Sequence, residues 1–186
     1  MQQRIDAQLA FLIEACKLKS VVRATTLCDG SRYENTGEHS WHIALYALVM
    51  AEHANRDINI DRVIKMLLLH DLVEIDAGDT FAYDKKNMAD QHERESVAAD
   101  RIFGILPEDQ TKEYRALWDE FEAMDTPESK FAAACDRFHP MLLNMLTEGH
   151  AWQKHGITKD RVIARNQHVA DGSTALWDYA LKMIDD

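Results

Sequence analysis

Apolar residues recur at helical spacing through most of the chain. Ile5, Leu9, Leu12, Ile13 and Cys16 predict an amphipathic helix ending near Leu18. Arg23 to Gly37 is the least regular stretch, with Asp29-Gly30 as a turn signal. A second helix is expected from Glu38 to about Asn55, with Ile43, Ala47 and Met50 on one face. Asp61 reads as the N-cap of a third, whose Val63, Ile64, Leu67 and Leu68 face a core. That helix should carry His70, Asp71 and Glu74 and stop before Gly78, with a polar loop from Asp79 to about Asn87. Helical character resumes from Glu93 to Phe103, ended by Gly104 and Pro107. Tyr114, Leu117, Trp118 and Phe121 mark the next helix, and Pro127 with Ser129 opens one striped by Phe131, Cys135, Phe138 and Leu142. Thr158 caps another, and Ser173 opens a last one ending near Ile184. The expectation is an all-α fold over residues 1–186, one compact bundle of six to eight helices. Its core spans about residues 9–150, with helices over 158–184 packed on it.

Composition narrows the function. Seven glycines and three prolines in 186 residues argue against a sandwich of tight turns or a Gly-rich phosphate loop. A net charge of −11 excludes a nucleic-acid polymer as partner, because such binding rests on Lys and Arg displacing counterions. The longest apolar run, Ile43 to Ala51, falls well short of the roughly 18 residues a membrane span needs. Arg4 and Asp6 precede any apolar stretch, unlike a secretory signal, and Cys16, Cys28 and Cys135 make no disulfide framework. A reduced, cytoplasmic protein with no membrane contact is expected.

Several polar residues interrupt apolar stretches. His70-Asp71 follows directly on Met66-Leu67-Leu68-Leu69, where an imidazole and a carboxylate need a partner or a metal to be tolerated. Glu38-His39 stands at the start of an apolar helix, and Asp136 interrupts the stripe from Phe131 to Leu146. His39, His70, Asp71 and Asp136 thus offer two nitrogens and two oxygens. That set suits one divalent transition ion (Mn, Co, Fe, Zn or Ni) with room for water. His42 and His139, three residues from His39 and Asp136, read as packed or hydrogen-bonded neighbours. His53, His92, His150, His155 and His168 read as surface residues, and the four tryptophans as core or interface.

The order His39, His70-Asp71, Asp136 resembles the signature of the HD-domain metal-dependent phosphohydrolases. The branch it resembles most is the HD-domain 5′-deoxynucleotidases. Further matching pieces are Leu18-Lys19 with Arg23, Glu34 to His39, His70 to Glu74, Gly78-Asp79, Leu106-Pro107-Glu108 and Trp118 to Phe121. The resemblance implies an HD-domain helical bundle and His39, His70, Asp71 and Asp136 as ligands of one metal ion. It implies Glu74 and Asp71 as catalytic carboxylates, with Glu74 the general acid/base. It implies Arg23 on the substrate phosphate and Asp79 with Thr80 against the sugar. The implied activity is release of phosphate from a small phosphorylated metabolite, above all a nucleoside 5′-monophosphate, by a homodimer. Where the nucleotidases carry a sugar-packing tryptophan, this chain has Ala24-Thr25-Thr26-Leu27, so the sugar preference does not carry across. Two rivals stay open: a metal- and nucleotide-binding sensor without turnover, and a diiron oxygenase with His42 or His139 as added ligands.

Overall fold

The computed structural model describes residues 1–79, 83 and 90–185. It is built of helices with one small hairpin. Helix α1 (Gln2–Ala15) continues as a 3₁₀ turn over Cys16–Ser20. The irregular stretch after it pairs with itself: β1 (Val22–Thr26) and β2 (Tyr33–Asn35) are antiparallel, with Val22 opposite Asn35 and Thr26 opposite Tyr33. Strands of five and three residues are too short to show a period, which is why the sequence pattern predicts none. The Asp29-Gly30 turn closes the hairpin, with Gly30 at φ +68°.

Helix α2 (Thr36–Met50) starts two residues earlier than the apolar spacing suggests, because Asn35 caps it. Asn35 Oδ1 accepts from Glu38 N at 3.0 Å and Glu38 Oε2 from Asn35 N at 3.1 Å, a reciprocal pair that fixes the helix start just ahead of His39. Asn59, not Asp61, caps α3 (Ile60–Leu69): its side chain accepts from Arg62 N, so the helix begins before the predicted cap. Leu68, expected in the core, is 47% exposed.

A further difference lies at the end of α3. The predicted single helix through Glu74 breaks at Leu69 into a 3₁₀ turn (His70–Val73) and a one-turn helix α4 (Glu74–Ala77). Gly78, at φ +75°, ends α4 in a backbone conformation that glycine occupies without strain. Trp118 Nε1 donates to the His70 carbonyl at 3.2 Å, so the break carries a partner from a distant helix. The predicted loop from Asp79 to Asn87 lies almost wholly outside the described residues.

Helices α5 (Gln91–Phe103) and α6 (Glu108–Ala123) lead to α7 (Pro127–Leu146), capped reciprocally by Thr126 and Ser129. Pro140 inside α7 has no N–H for the Asp136 carbonyl one turn earlier. Short α8 (His150–Lys154) and α10 (Val169–Gly172) flank α9 (Lys159–Asn166), and α11 (Thr174–Asp185) ends the chain. Eight helices among the described residues (α1, α2, α3, α5, α6, α7, α9 and α11) have eight residues or more. None is long and apolar enough to cross a membrane.

The main core gathers Ile43, Met66, Leu67, Ile102, Phe103, Trp118 and Phe131 from α2, α3, α5, α6 and α7. A second cluster on the other side of α7 joins Ala134, Phe138 and Met141 to Val162, Val169, Leu176 and Ala180. Gly172 makes this second contact close: a Cβ there would meet the Lys130 carbonyl oxygen at 2.2 Å. Helix α7 is therefore held on both sides, and it delivers Asp136, Arg137 and His139.

Candidate functional site

His39 from α2, His70 and Asp71 from the 3₁₀ turn and Asp136 from α7 converge. His39 Nε2 is 2.9 Å from Asp136 Oδ1 and 3.8 Å from Asp71 Oδ2. His70 Nε2 is 3.0 Å from Asp71 Oδ1 and 3.6 Å from Asp136 Oδ1. Bonds of about 2.0–2.2 Å to a shared ion place adjacent donor atoms roughly 3 Å apart, so His39, His70 and Asp136 come within reach of a common cation, with Asp71 turned to the two histidines through different oxygens. Both histidines are buried, as is most of Asp71.

The imidazoles are oriented from behind. His70 Nδ1 lies 3.0 Å from the Leu67 carbonyl, which can only accept, so this nitrogen carries the proton. Nε2 is buried, 3.0 Å from Asp71 Oδ1 and 3.6 Å from Asp136 Oδ1, and meets hydrogen-bond geometry with neither. A buried imidazole nitrogen between two carboxylates fits a cation, which would take the place of a proton there, and a second partner fixing the far nitrogen is the usual support of a ligating histidine. Behind His39 stands a feature that the sequence pattern barely signals. His39 Nδ1 is 3.2 Å from His139 Nδ1, and His139 Nε2 is 3.0 Å from His42 Nδ1. Burial, followed by His39 and His42, lowers His139 to a pKa of about 2, so its neutral ring donates once and accepts once. Glu34 is 2% exposed, with Oε2 3.5 Å from His39 Nδ1 and no hydrogen-bond partner. The ring nitrogens of His139 face His39 and His42, so His139 stands outside the set of His39, His70 and Asp136, although Glu34, His39 and His139 also bring donor atoms close together. The three-residue spacings of His42 from His39 and of His139 from Asp136 are the traces of this chain of rings in the sequence, and both histidines are the hydrogen-bonded neighbours expected there.

Carboxylates and one arginine form the floor beside the cluster. Burial and then the charge of Asp71 hold Glu74 well above the usual carboxylate range, while Thr36 Oγ1 donates to Glu74 Oε2 at 2.9 Å. Burial also raises Asp79. Burial would raise Asp136, but the neighbouring His39 and His70 outweigh it and hold the carboxyl well below its usual range. For His70, burial opposes protonation, yet Asp71 and Asp136 carry it above the usual imidazole value. Arg23, placed by β1, is set among carboxylates: its Nη1 is 3.0 Å from Asp71, 3.8 Å from Glu74 and 3.7 Å from Asp79, and its Nε is 4.0 Å from Glu34. Thr80 lies outside the described residues.

These groups open onto a cavity of about 410 Å³, lined by Arg23, His70, Asp71, Glu74, Asp79 and Asp136. Its wall continues through Arg137, Asn144, Trp152 and Arg165; Trp152 packs against the second hydrophobic cluster, as expected of a core residue, and also borders the cavity. Such a volume suits a small-molecule ligand. Of seven buried side-chain polar atoms with no partner among the described residues, six belong to residues lining this cavity. Unsatisfied groups at that density mark a place where something polar binds.

Comparison with known proteins bears on this geometry. The family model described as HD domain matches residues 15–177. The crystal structure of a predicted metal-dependent phosphohydrolase from Magnetospirillum magnetotacticum is 49% identical, with a TM-score of 0.94 over 98% of this chain and 92% of that one. A conserved hypothetical protein from Pyrococcus furiosus, 19% identical with a TM-score of 0.66 over 95% of this chain and 96% of that one, shares the fold. Human 5′-deoxynucleotidase HDDC2 is 32% identical over 135 residues, 72% of this chain; the match spans 65% of the human protein.

Proposed function

Because the chain belongs to the HD domain family, we propose that it is a metal-dependent phosphohydrolase that releases phosphate from nucleoside 5′-monophosphates or a similar small phosphate ester. The observation that carries this reading is the convergence of His39, His70, Asp71 and Asp136 at the head of a cavity that also holds Glu74 and Arg23. The likeness to 5′-deoxynucleotidases supports a nucleotide as substrate. In this reading the four residues hold one divalent transition metal ion. The ion would polarise a phosphoryl oxygen and acidify water in the site.

The chain's own residues then divide the work. Asp71 joins the ligand set to the acid/base group, since its charge helps raise Glu74. Glu74, buried and held toward its neutral form, has the proton that a departing sugar oxygen needs, and its carboxylate form can take one from water. Arg23 exchanges part of its contact with Asp71 for a phosphate oxygen, a match of guanidinium to phosphate. Asp79 and Thr80 would contact the sugar.

Residues 1–186 are read as one domain in a cytoplasmic protein that forms a homodimer. Support for association comes from exposed apolar side chains: Leu9, Leu12 and Ile13 on α1, and Trp41, Leu45, Leu48 and Val49 on α2. The last helix contributes only Tyr179 to the exposed large apolar residues.

The test is phosphate release from ribo- and deoxynucleoside 5′-monophosphates and several sugar phosphates, using metal-stripped protein resupplied with Mn, Co, Fe, Zn or Ni. Turnover that disappears in Asp71→Ala is expected. Full turnover and full metal content in that variant would sink the assignment.

A further inference from the structure

Two arginines in the wall of the cavity have no function in the chemistry described so far. Arg137 follows Asp136 on α7, and Arg165 projects from α9. Neither has a hydrogen bond or an ion pair among the described residues, and the Nε of each is buried without a partner. This is unusual in a chain with 32 acidic against 21 basic side chains, where Arg23 at the same cavity is surrounded by carboxylates. The two guanidiniums also act on each other: burial first, then the charge of Arg137, brings Arg165 down to about 10. Arg23 has its guanidinium within 4.0 Å of the carboxylates of Glu34, Asp71, Glu74 and Asp79, whereas Arg137 and Arg165 meet no carboxylate at that distance among the described residues. Asn144 Oδ1, buried and unpartnered as well, lies in the wall with Arg137 and Arg165.

We propose that Arg137 and Arg165 form a second anion subsite that takes a phosphoryl group other than the one hydrolysed. The preferred substrates are then nucleotides, or esters of similar size, that carry two separate phosphates. The chemistry is matched. A phosphate monoester carries about −1.5 to −2 charges at neutral pH, which two adjacent guanidiniums neutralise, and each fork can bind two of its oxygens. One phosphate held near the metal ligands and Arg23 leaves this pair unsatisfied; a second one removes both the repulsion and the orphaned donors. The inference rests on the phosphohydrolase reading for the first phosphoryl group and adds the second.

The experiment compares a nucleoside 5′-monophosphate with its 3′,5′-bisphosphate. kcat/KM is measured on metal-loaded full-length protein, and Kd by calorimetry on metal-free protein. The bisphosphate is expected to lead by about 10-fold or more in both, the effect of a charge-assisted contact. In Arg165→Gln the ratio of the two esters should fall to about one, and Arg165→Lys, which keeps the charge, should fall between. A wild-type ratio of one with monophosphate turnover intact overturns the subsite and leaves the phosphohydrolase reading standing. So does a ratio that survives in Arg165→Gln because both esters lose equally, since the pair would then act on the reacting phosphate. Absence of turnover together with Arg165-dependent binding of the bisphosphate has the opposite meaning: the subsite stands and the phosphohydrolase reading falls.

Discussion

The Nδ1 atoms of His39 and His139 lie 3.2 Å apart, and only one of them can carry the proton between them. When His39 donates, His139 passes its own proton toward His42, and His39 Nε2 is left as a lone pair facing Asp136. The ring chain thus selects the tautomer of a proposed ligand from outside the ligand set. Replacing His139 by Leu leaves His39 free to turn or to protonate the wrong nitrogen. Metal affinity, measured by calorimetry, should fall about 10- to 100-fold, the effect of losing such a support. Unchanged affinity in a folded His139→Leu protein would show that the rings are mere packing.

Glu74 gives a pH dependence with a definite sign. Its folded pKa is raised, by burial and then by Asp71, so the folded state binds a proton that the unfolded state has already lost. Stability of the metal-free protein therefore declines as pH rises from about 4.3, the unfolded value, through the folded pKa. Glu74→Gln removes that decline and keeps an oxygen for the 2.9 Å bond from Thr36. The variant should melt higher than wild type at about pH 8 and together with it at about pH 4. A Tm difference that does not change with pH would rule out Glu74 as the group responsible. The same substitution should lower turnover by about 10²- to 10⁴-fold.

Arg23 is read as the phosphate contact, yet in the free protein it also holds Asp71 at 3.0 Å. Arg23→Gln should raise KM for a phosphate monoester by about 10- to 150-fold, the range for a charge-assisted hydrogen bond. An effect confined to kcat would place the arginine on the carboxylates alone.

On the outside of α2, Trp41, Leu45, Leu48 and Val49 follow helical spacing and are all exposed, Val49 by 65%. An apolar helix face of this kind is the signature of a covered surface. Leu48→Glu should shift the protein from dimer to monomer in light scattering after gel filtration. Wild-type protein that is already monomeric at high concentration would refute the assignment of this face.

The helical content, the order of the helices and the converging acids and histidines could all be read from the chain. The reasons are local: a stripe such as Phe131, Cys135, Phe138 carries its own period, and His70-Asp71 behind four apolar residues is conspicuous without a fold. What escaped depends on contacts distant in sequence. The break after Leu69 shows no breaker residue and is held by Trp118, 48 positions away from His70. The pairing of His139 with His39 spans 100 positions, and bringing Arg137 and Arg165 to one cavity needs the C-terminal helices packed beside α7. The stripe Ile5, Leu9, Leu12, Ile13 is helical as predicted but buries little; Phe11 is the one residue of α1 in the core. Periodicity identifies a helix and one of its faces, but not what that face meets.

Gly172 is no part of the cavity lining, yet its missing side chain decides how α10 meets α7. Because the Lys130 backbone would be 2.2 Å from any Cβ at that position, the C-terminal helices rest on α7 by main chain against main chain. There is no side chain in between that could yield. The seat of α10 on α7 is thus machined into the backbone, with the absence of a single methyl group as its tolerance.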